Sequence, residues 1–127
     1  MRIRVGVDVV GVERLERLVH DDEERQRELF TSRELEYCRG KRRQYEHMAV
    51  RFAAKEAVLK AFGTGISQRM RWTEVEVVNE TNGRPRVELG GAVAAFADRH
   101  GLADLDVSLS HTEGLALAHA VTLWEER

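Results

Sequence analysis

The stretch Arg51-Phe-Ala-Ala-Lys-Glu-Ala-Val-Leu-Lys-Ala-Phe62 constrains this chain more than any other part of it. It predicts the later part of one long helix over about residues 44–62, in which charged Lys55, Glu56 and Lys60 interrupt an otherwise apolar, alanine-rich surface. A solvent-facing helix normally sets its charges opposite a single apolar stripe. Here alanines surround the charges and permit close approach of other backbone. Helical geometry puts Glu56 and Lys60 about 40° apart around the axis and one turn apart along it, so both can address one small site. Arg51 and Lys55 stand in the same relation. The same spacing also describes ordinary i,i+4 pairing, worth only a few tenths of a kcal/mol. Gly63-Thr64-Gly65 ends the helix, either as a C-cap glycine with a tight turn or as a nest of amides for a phosphate. In the second case the amides or a nearby cation have to outweigh the helix dipole, which is negative at this end. A P-loop is excluded, because it needs a glycine-rich loop before a helix and a Gly-Lys-Ser/Thr end.

Residues 3–10 read as a strand with Val5, Val7 and Val9 on one face and Arg4, Gly6, Asp8 and Val10 on the other. A helix follows, its apolar stripe made by Val12, Leu15, Leu18 and Val19, until the acidic segment Asp21–Glu24 ends or interrupts it. Thr31-Ser32-Arg33-Glu34 has capping-box spacing and predicts a helix through Cys38, with Gly40 as its stop. Alternation of Trp72, Glu74, Glu76 and Val78 against Thr73, Val75 and Val77 predicts a half-buried strand. Asn82-Gly83 marks a turn, and Arg86–Leu89 is the partner strand, with the only proline, Pro85, at its start. Ala92–His100 forms a helix with Val93, Phe96 and Ala97 on its core face and Gly101 as its cap. Asp106–His111 and Leu115–Leu123 flank Thr112-Glu113-Gly114 as a closing hairpin. There is no regular βαβ rhythm and at least two strand pairs are hairpins, so the expected fold class is α+β with an antiparallel sheet, in a single domain.

Size and charge narrow the function. With 127 residues, 43% of them apolar, the chain can fill a core but has little surface left for a deep pocket of its own, so a site shared between subunits fits. A net charge of −2 supplies no global basic field for nucleic acid. Two local clusters remain, Arg14 with Arg17 and Arg39 with Lys41, Arg42 and Arg43, each either a meeting point for an acidic partner or a solvated face. Met1-Arg2-Ile3-Arg4-Val5 begins a charged strand rather than the apolar run of a signal peptide, and no stretch approaches the roughly 18 apolar residues of a membrane span. The expected location is cytoplasmic, without membrane contact. A single cysteine, Cys38, forms no internal disulfide and points to neither zinc nor redox chemistry.

Asp8 lies among aliphatic neighbours, where an ionised carboxylate is costly without a cation or hydrogen bonds. That makes it a candidate metal ligand or, alternatively, a cap for the helix starting near Gly11. Along Val107-Ser-Leu-Ser-His111 the parity groups His111 with Val107 and Leu109, while Ser108, Ser110 and Thr112 share the other face. His111 is therefore either a core histidine or a functional group at a strand end beside a turn; His119, mid-strand, has the weaker claim. No Ser-His-Asp order or Cys-His pair is legible. Two carboxylates accompanied by cations, Asp8 and Glu56, suit Mg²⁺, which takes one or two carboxylates and completes its shell with water and substrate phosphate.

Three segments taken together are specific: Gly6-Val-Asp8-Val-Val, then Arg51-Phe-Ala-Ala-Lys-Glu56-Ala with Lys60-Ala-Phe-Gly-Thr-Gly65, then Val107-Ser-Leu-Ser-His111-Thr112. In this order and at this compact length they resemble the holo-acyl-carrier-protein synthases across nearly the whole chain. The resemblance implies a 4′-phosphopantetheinyl transferase fold and a homotrimer with active sites at subunit interfaces. The reaction it implies is Mg²⁺-dependent transfer of 4′-phosphopantetheine from coenzyme A to a serine of an acyl carrier protein. By the same resemblance Asp8, Glu56 and Lys60 are the catalytic set, with Asp8 and Glu56 on Mg²⁺ and Lys60 against the phosphates. Arg51, Gly63, Thr64, Gly65, His111 and Thr112 are expected to hold coenzyme A, His111 reaching from the neighbouring subunit near the 3′-phosphate end. Arg14, and Arg17 as a weaker candidate, match positions that meet the acidic recognition helix of the carrier protein. Two other functions fit the same residue types: a non-catalytic trimeric module that binds coenzyme A, and a metal-assisted phosphohydrolase acting on a nucleotide. Intact Asp8, Glu56 and Lys60 speak against the first.

Overall fold

A computed structural model describes residues 1–67 and 69–125. Its elements run β1 (Arg2–Gly11), α1 (Val12–Val19), α2 (Glu23–Leu29), α3 (Ser32–Arg39), α4 (Gln44–Phe62), a 3₁₀ turn (Trp72–Glu74), β2 (Val75–Asn79), β3 (Pro85–Leu89), α5 (Gly91–His100), β4 (Leu102–Thr112) and β5 (Leu115–Trp124). The three long strands form an antiparallel sheet in the order β1-β5-β4, while β2 and β3 pair as a separate antiparallel hairpin. The α+β class and the 44–62 helix are as the sequence predicts.

Helix α4 lies against the inner face of the long sheet, and small residues set how close it comes. The central strand contributes Ala116, Ala118 and Ala120, and the helix contributes Ala53, Ala54, Ala57 and Ala61, all of them buried. At Gly6 on β1 the contact is closest: a Cβ built there would stand 2.0 Å from the Ala57 carbonyl oxygen, which no side chain can occupy. The alanine-rich face is thus a packing surface, which leaves the charged residues of α4 to project along its two flanks.

One of those charges is structural. Lys55 is fully buried and donates to Glu34 Oε1 at 2.8 Å and to the carbonyls of Trp72 and Val75 at 3.1 and 2.5 Å. Glu34 is satisfied in turn by the Thr31 and Val77 amides, both at 2.9 Å. The predicted capping box of α3 therefore doubles as the carboxylate half of a buried ion pair that ties α3, α4 and β2 together. The expectation that Lys55 joins Arg51 at one site is corrected: Lys55 serves the core.

The structure differs from the sequence reading elsewhere too. The acidic segment after α1 is the start of α2, because the Asp22 side chain accepts from the Arg25 amide and caps it. Residues 72–74 are a 3₁₀ turn rather than strand, since the Trp72 carbonyl is drawn to Lys55 and the Glu74 side chain folds back on the Arg71 amide. Strand β4 begins at Leu102, four residues before the predicted start. Leu18 is exposed, and of the predicted α1 stripe Leu15 and Val19 carry the burial. Cys38 is buried in α3, and burial pushes its thiol up to about 11, an inert structural residue.

Candidate active site

The register of the long sheet decides what can meet what. On its inner face Asp8 is paired with Ala118 and Leu109, and the next row is Val10, Ala116 and His111. Asp8 and His111 thus sit on opposite outer strands, two strand spacings across and two residues along, which puts their backbones roughly 12 Å apart. Helix α4 runs between them over the alanine column. Glu56 and Lys60 project toward β1, and Glu46 and Arg51 toward the β4 side.

On the β1 flank, Asp8 and Glu56 line one cavity of about 550 Å³ with Gly11, Arg14, Arg17 and Phe52. Lys60, half exposed, donates from Nζ to Asp8 Oδ1 at 2.8 Å and to the Val7 carbonyl at 3.1 Å. This settles two alternatives that the sequence leaves open. Among the described residues Asp8 accepts from Lys60 and from no α1 amide, so it does not cap α1, and Lys60 pairs across elements with Asp8 rather than along the helix with Glu56. Its hydrogen bond to Asp8 holds the Lys60 ammonium above its ordinary range. Burial, and next the Asp8 carboxylate, hold the Glu56 carboxyl above the ordinary carboxylate range, with Lys60 partly opposing them. Two carboxylates that destabilise each other's charge in one cavity are the donor set a small hard cation relieves. Asp8 and Glu56 fit Mg²⁺, with room for water and phosphate oxygens as its remaining ligands.

On the β4 flank a second cavity, also about 550 Å³, is lined by Tyr37, Arg51, Asn79, Arg84, Pro85 and His111 among others. Arg51 is almost fully buried, donates to the Asn79 side chain, and lies 4.1 Å over the Tyr37 ring. His111 is half exposed with Nδ1 3.2 Å from Glu46, so it is not a core histidine. His119 lies on the opposite, outer face of the sheet, between Val7 and Ser108.

The outer face carries a further feature. Ile3, Val5, Val7 and Val9 on β1 are each more than half exposed, and Leu115 and Val121 of β5 stand beside them more than two-fifths exposed. A contiguous apolar sheet face of this kind marks an interaction surface.

Comparison with known proteins now adds the family. The sequence model described as the 4′-phosphopantetheinyl transferase superfamily matches residues 4–120. The chain belongs to this family. It is 47% identical over 117 residues to the holo-[acyl-carrier-protein] synthase of Geobacter sulfurreducens, covering 91% of this chain and 93% of the relative. Among solved structures it is similar to the holo-[acyl-carrier-protein] synthase of Neisseria meningitidis, with a TM-score of 0.85 at 28% identity over 94% of this chain and 97% of the other. It is also similar to the Chronobacterium ammoniagenes ACPS–CoA complex, with a TM-score of 0.87 at 28% identity over 99% and 100% of the two chains. The chain is a phosphopantetheinyl transferase, and its α+β architecture is that of the family.

Within this transferase the residues singled out from sequence divide into groups. Asp8, Glu56 and Arg14 share the first cavity and Lys60 touches it through Asp8; Arg51 and His111 share the second. Arg17 lines the first cavity but pairs with Glu13 at 3.1 Å. Gly63, Thr64, Gly65 and Thr112 line neither. The amides of Gly63, Thr64 and Gly65 all donate to the Lys60 or Leu59 carbonyls, so this segment is a helix-closing turn whose amides are already engaged. Sequence reasoning did not find Tyr37, Asn79 and Arg84, ordinary polar positions that only the tertiary register brings to the second cavity, nor Glu46, which meets His111 from beside it. The Asn82-Gly83 turn was the one available signal, since it places Arg84 and Pro85 beside the end of β2.

Proposed function

We propose that this enzyme transfers 4′-phosphopantetheine from coenzyme A to a serine of an apo acyl carrier protein, releasing adenosine 3′,5′-bisphosphate, with Mg²⁺ as cofactor and in the cytoplasm. The observation that carries the reading is the division of the functional side chains between two cavities on opposite flanks of α4. One holds the carboxylates and Arg14; the other holds Arg51 and His111. A ligand with a pyrophosphate at one end and a phosphomonoester at the other needs both sets of groups, and by the family resemblance His111 of the second cavity comes from the neighbouring protomer. The exposed apolar face of β1 and β5 supports association of copies of this chain, and the family resemblance makes the assembly a homotrimer.

In this arrangement Asp8 and Glu56 would hold Mg²⁺, which would supply neutralisation of phosphate charge when bound. Lys60, already aimed by Asp8 and the Val7 carbonyl, donates to the phosphate oxygens and stabilises the charge that develops as the pyrophosphate bond breaks. The carrier serine oxygen attacks the phosphorus bearing pantetheine. The serine proton goes to a water, either one bound to the metal or one held by Glu56, whose carboxyl burial and Asp8 hold above the usual range. Arg51 and His111 of the neighbouring protomer receive the 3′-phosphate end. Arg14, with no partner among the described residues, and Arg17 face the acidic carrier. Gly63, Thr64, Gly65 and Thr112 are assigned to coenzyme A by the family resemblance alone.

The test is intact mass spectrometry of an apo acyl carrier protein incubated with this protein, coenzyme A and Mg²⁺, beside a chelated control. A metal-dependent gain of one phosphopantetheine is expected. Coenzyme A binding without any gain across carriers from fatty-acid, polyketide and peptide synthesis would reduce the chain to a binding module. Phosphate release without a carrier would make it a phosphohydrolase.

A further inference from the structure

Arg51 is unusual among the cations of this protein. Its relative exposure is 3%, yet among the described residues its only hydrogen-bond partner is a neutral amide, the side-chain oxygen of Asn79, and its Nε is buried without a partner. Of the other polar groups of the second cavity, Arg84 donates to Asp106 at 2.8 Å, and His111 has Glu46, from beside the cavity, 3.2 Å from its Nδ1. A buried guanidinium is costly unless an anion meets it. The protein fixes its position with two uncharged groups, the Tyr37 ring beneath it and Asn79 beside it.

Asn79 in turn is tied to the turn that follows. It ends β2 opposite Pro85, which has no amide hydrogen to donate, and its Nδ2 donates instead to the Gly83 carbonyl at 3.1 Å. One side chain therefore accepts from Arg51 and braces the turn carrying Arg84 and Pro85. A carboxylate here would hold the guanidinium more tightly but would cancel its charge. An amide orients it and leaves the charge for a ligand.

We propose that Asn79 is a positioning and specificity residue: by aiming Arg51 without neutralising it, Asn79 makes the second cavity discriminate a nucleotide bearing a 3′-phosphomonoester from the same nucleotide without one. This rests on the assignment of the Arg51 cavity to the 3′-phosphate end of coenzyme A.

The experiment compares coenzyme A with 3′-dephospho-coenzyme A, by turnover with a carrier protein and by calorimetric binding, for the wild type, Asn79→Asp and Asn79→Ala. Asn79→Asp keeps an acceptor for Arg51 but, like alanine, loses the donor to the Gly83 carbonyl, so thermal melts of both variants report any loosening of the hairpin separately from ligand preference. For both variants the KM and Kd for coenzyme A rise about tenfold, the scale of one charge-assisted contact. Their values for 3′-dephospho-coenzyme A stay within about twofold of wild type, as does kcat at saturation. An equal loss on both ligands would mean that Asn79 merely holds the hairpin, and no loss on coenzyme A would mean that Arg51 needs no aiming; either overturns the proposal. A wild type that binds coenzyme A with this preference but transfers nothing refutes the transfer reaction alone, because calorimetry still reads the effect of Asn79. A wild type without the preference overturns the proposal even if it transfers.

Discussion

Lys60 crosses from α4 to β1 and meets Asp8 at 2.8 Å, so the cation assigned to the phosphates and a carboxylate assigned to the metal form one ion pair. Each orients the other before substrate arrives. Lys60→Met should lower kcat about 100-fold, the loss typical of one preorganised cationic donor, with a much smaller change in KM for the carrier protein. Steady-state assays varying each substrate check this.

Glu56 makes opposite demands on stability and activity. Burial and Asp8 raise its carboxyl, so in chelated protein the folded state binds the proton more tightly than the unfolded chain does. The stability held by protonated Glu56 is present at acid pH and lost as pH rises through the raised folded value. Glu56→Gln should therefore raise Tm by a few degrees at neutral pH without metal while abolishing most turnover, and the gain should vanish at low pH. Thermal melts with chelator across pH decide it.

Gly6→Ala is expected to be severe. The added methyl meets the Ala57 carbonyl oxygen, which belongs to helix backbone and has nowhere to move, so about 3 kcal/mol or more of stability should be lost. For a domain of this size that lowers Tm by roughly 10 °C or more, measurable by circular dichroism.

Lys55→Met leaves Glu34 buried without its cation and should cost about 3–5 kcal/mol. Adding Glu34→Leu to the same chain should restore part of the loss, which denaturant titrations of the two single variants and the double variant would resolve.

Val7→Glu places a charge in the middle of the exposed apolar face, beside His119 of β5, and leaves in place the Val7 backbone carbonyl that accepts from Lys60. If copies associate through this face, the variant should sediment as a monomer with native secondary structure and lose transferase activity. A variant that is monomeric and fully active would rule out sites built between subunits.

The parts of this molecule that were legible in sequence are those whose information is local. The boundaries of α4 and the Thr31–Glu34 capping box follow from neighbouring residues, and both are where periodicity and capping rules put them. Asp8, Glu56 and Lys60 stood out because charge inside an apolar segment demands a partner. The seven-residue α2 was hidden because its start is a run of acids whose capping role depends on one turn of geometry. Residues 72–74 alternate like a strand and are bent by Lys55, seventeen residues away from the Trp72 carbonyl it binds. Asn79 and Glu46 have no local signature at all; sheet register and helix packing alone give them their neighbours.

Because Arg51 and Glu56 ride on one uninterrupted helix, its angular phase allots each residue to a flank. Five residues turn the helix by about 140° and advance it by about 7.5 Å, which carries the one toward β4 and the other toward β1. Deleting or inserting a single residue between them would swing everything beyond by about 100° and deliver Glu56 and Lys60 to the wrong partners, while leaving composition and charge almost untouched. Length variation that loops absorb freely is therefore closed to the middle of α4, and the enzyme keeps its two cavities in step by counting residues.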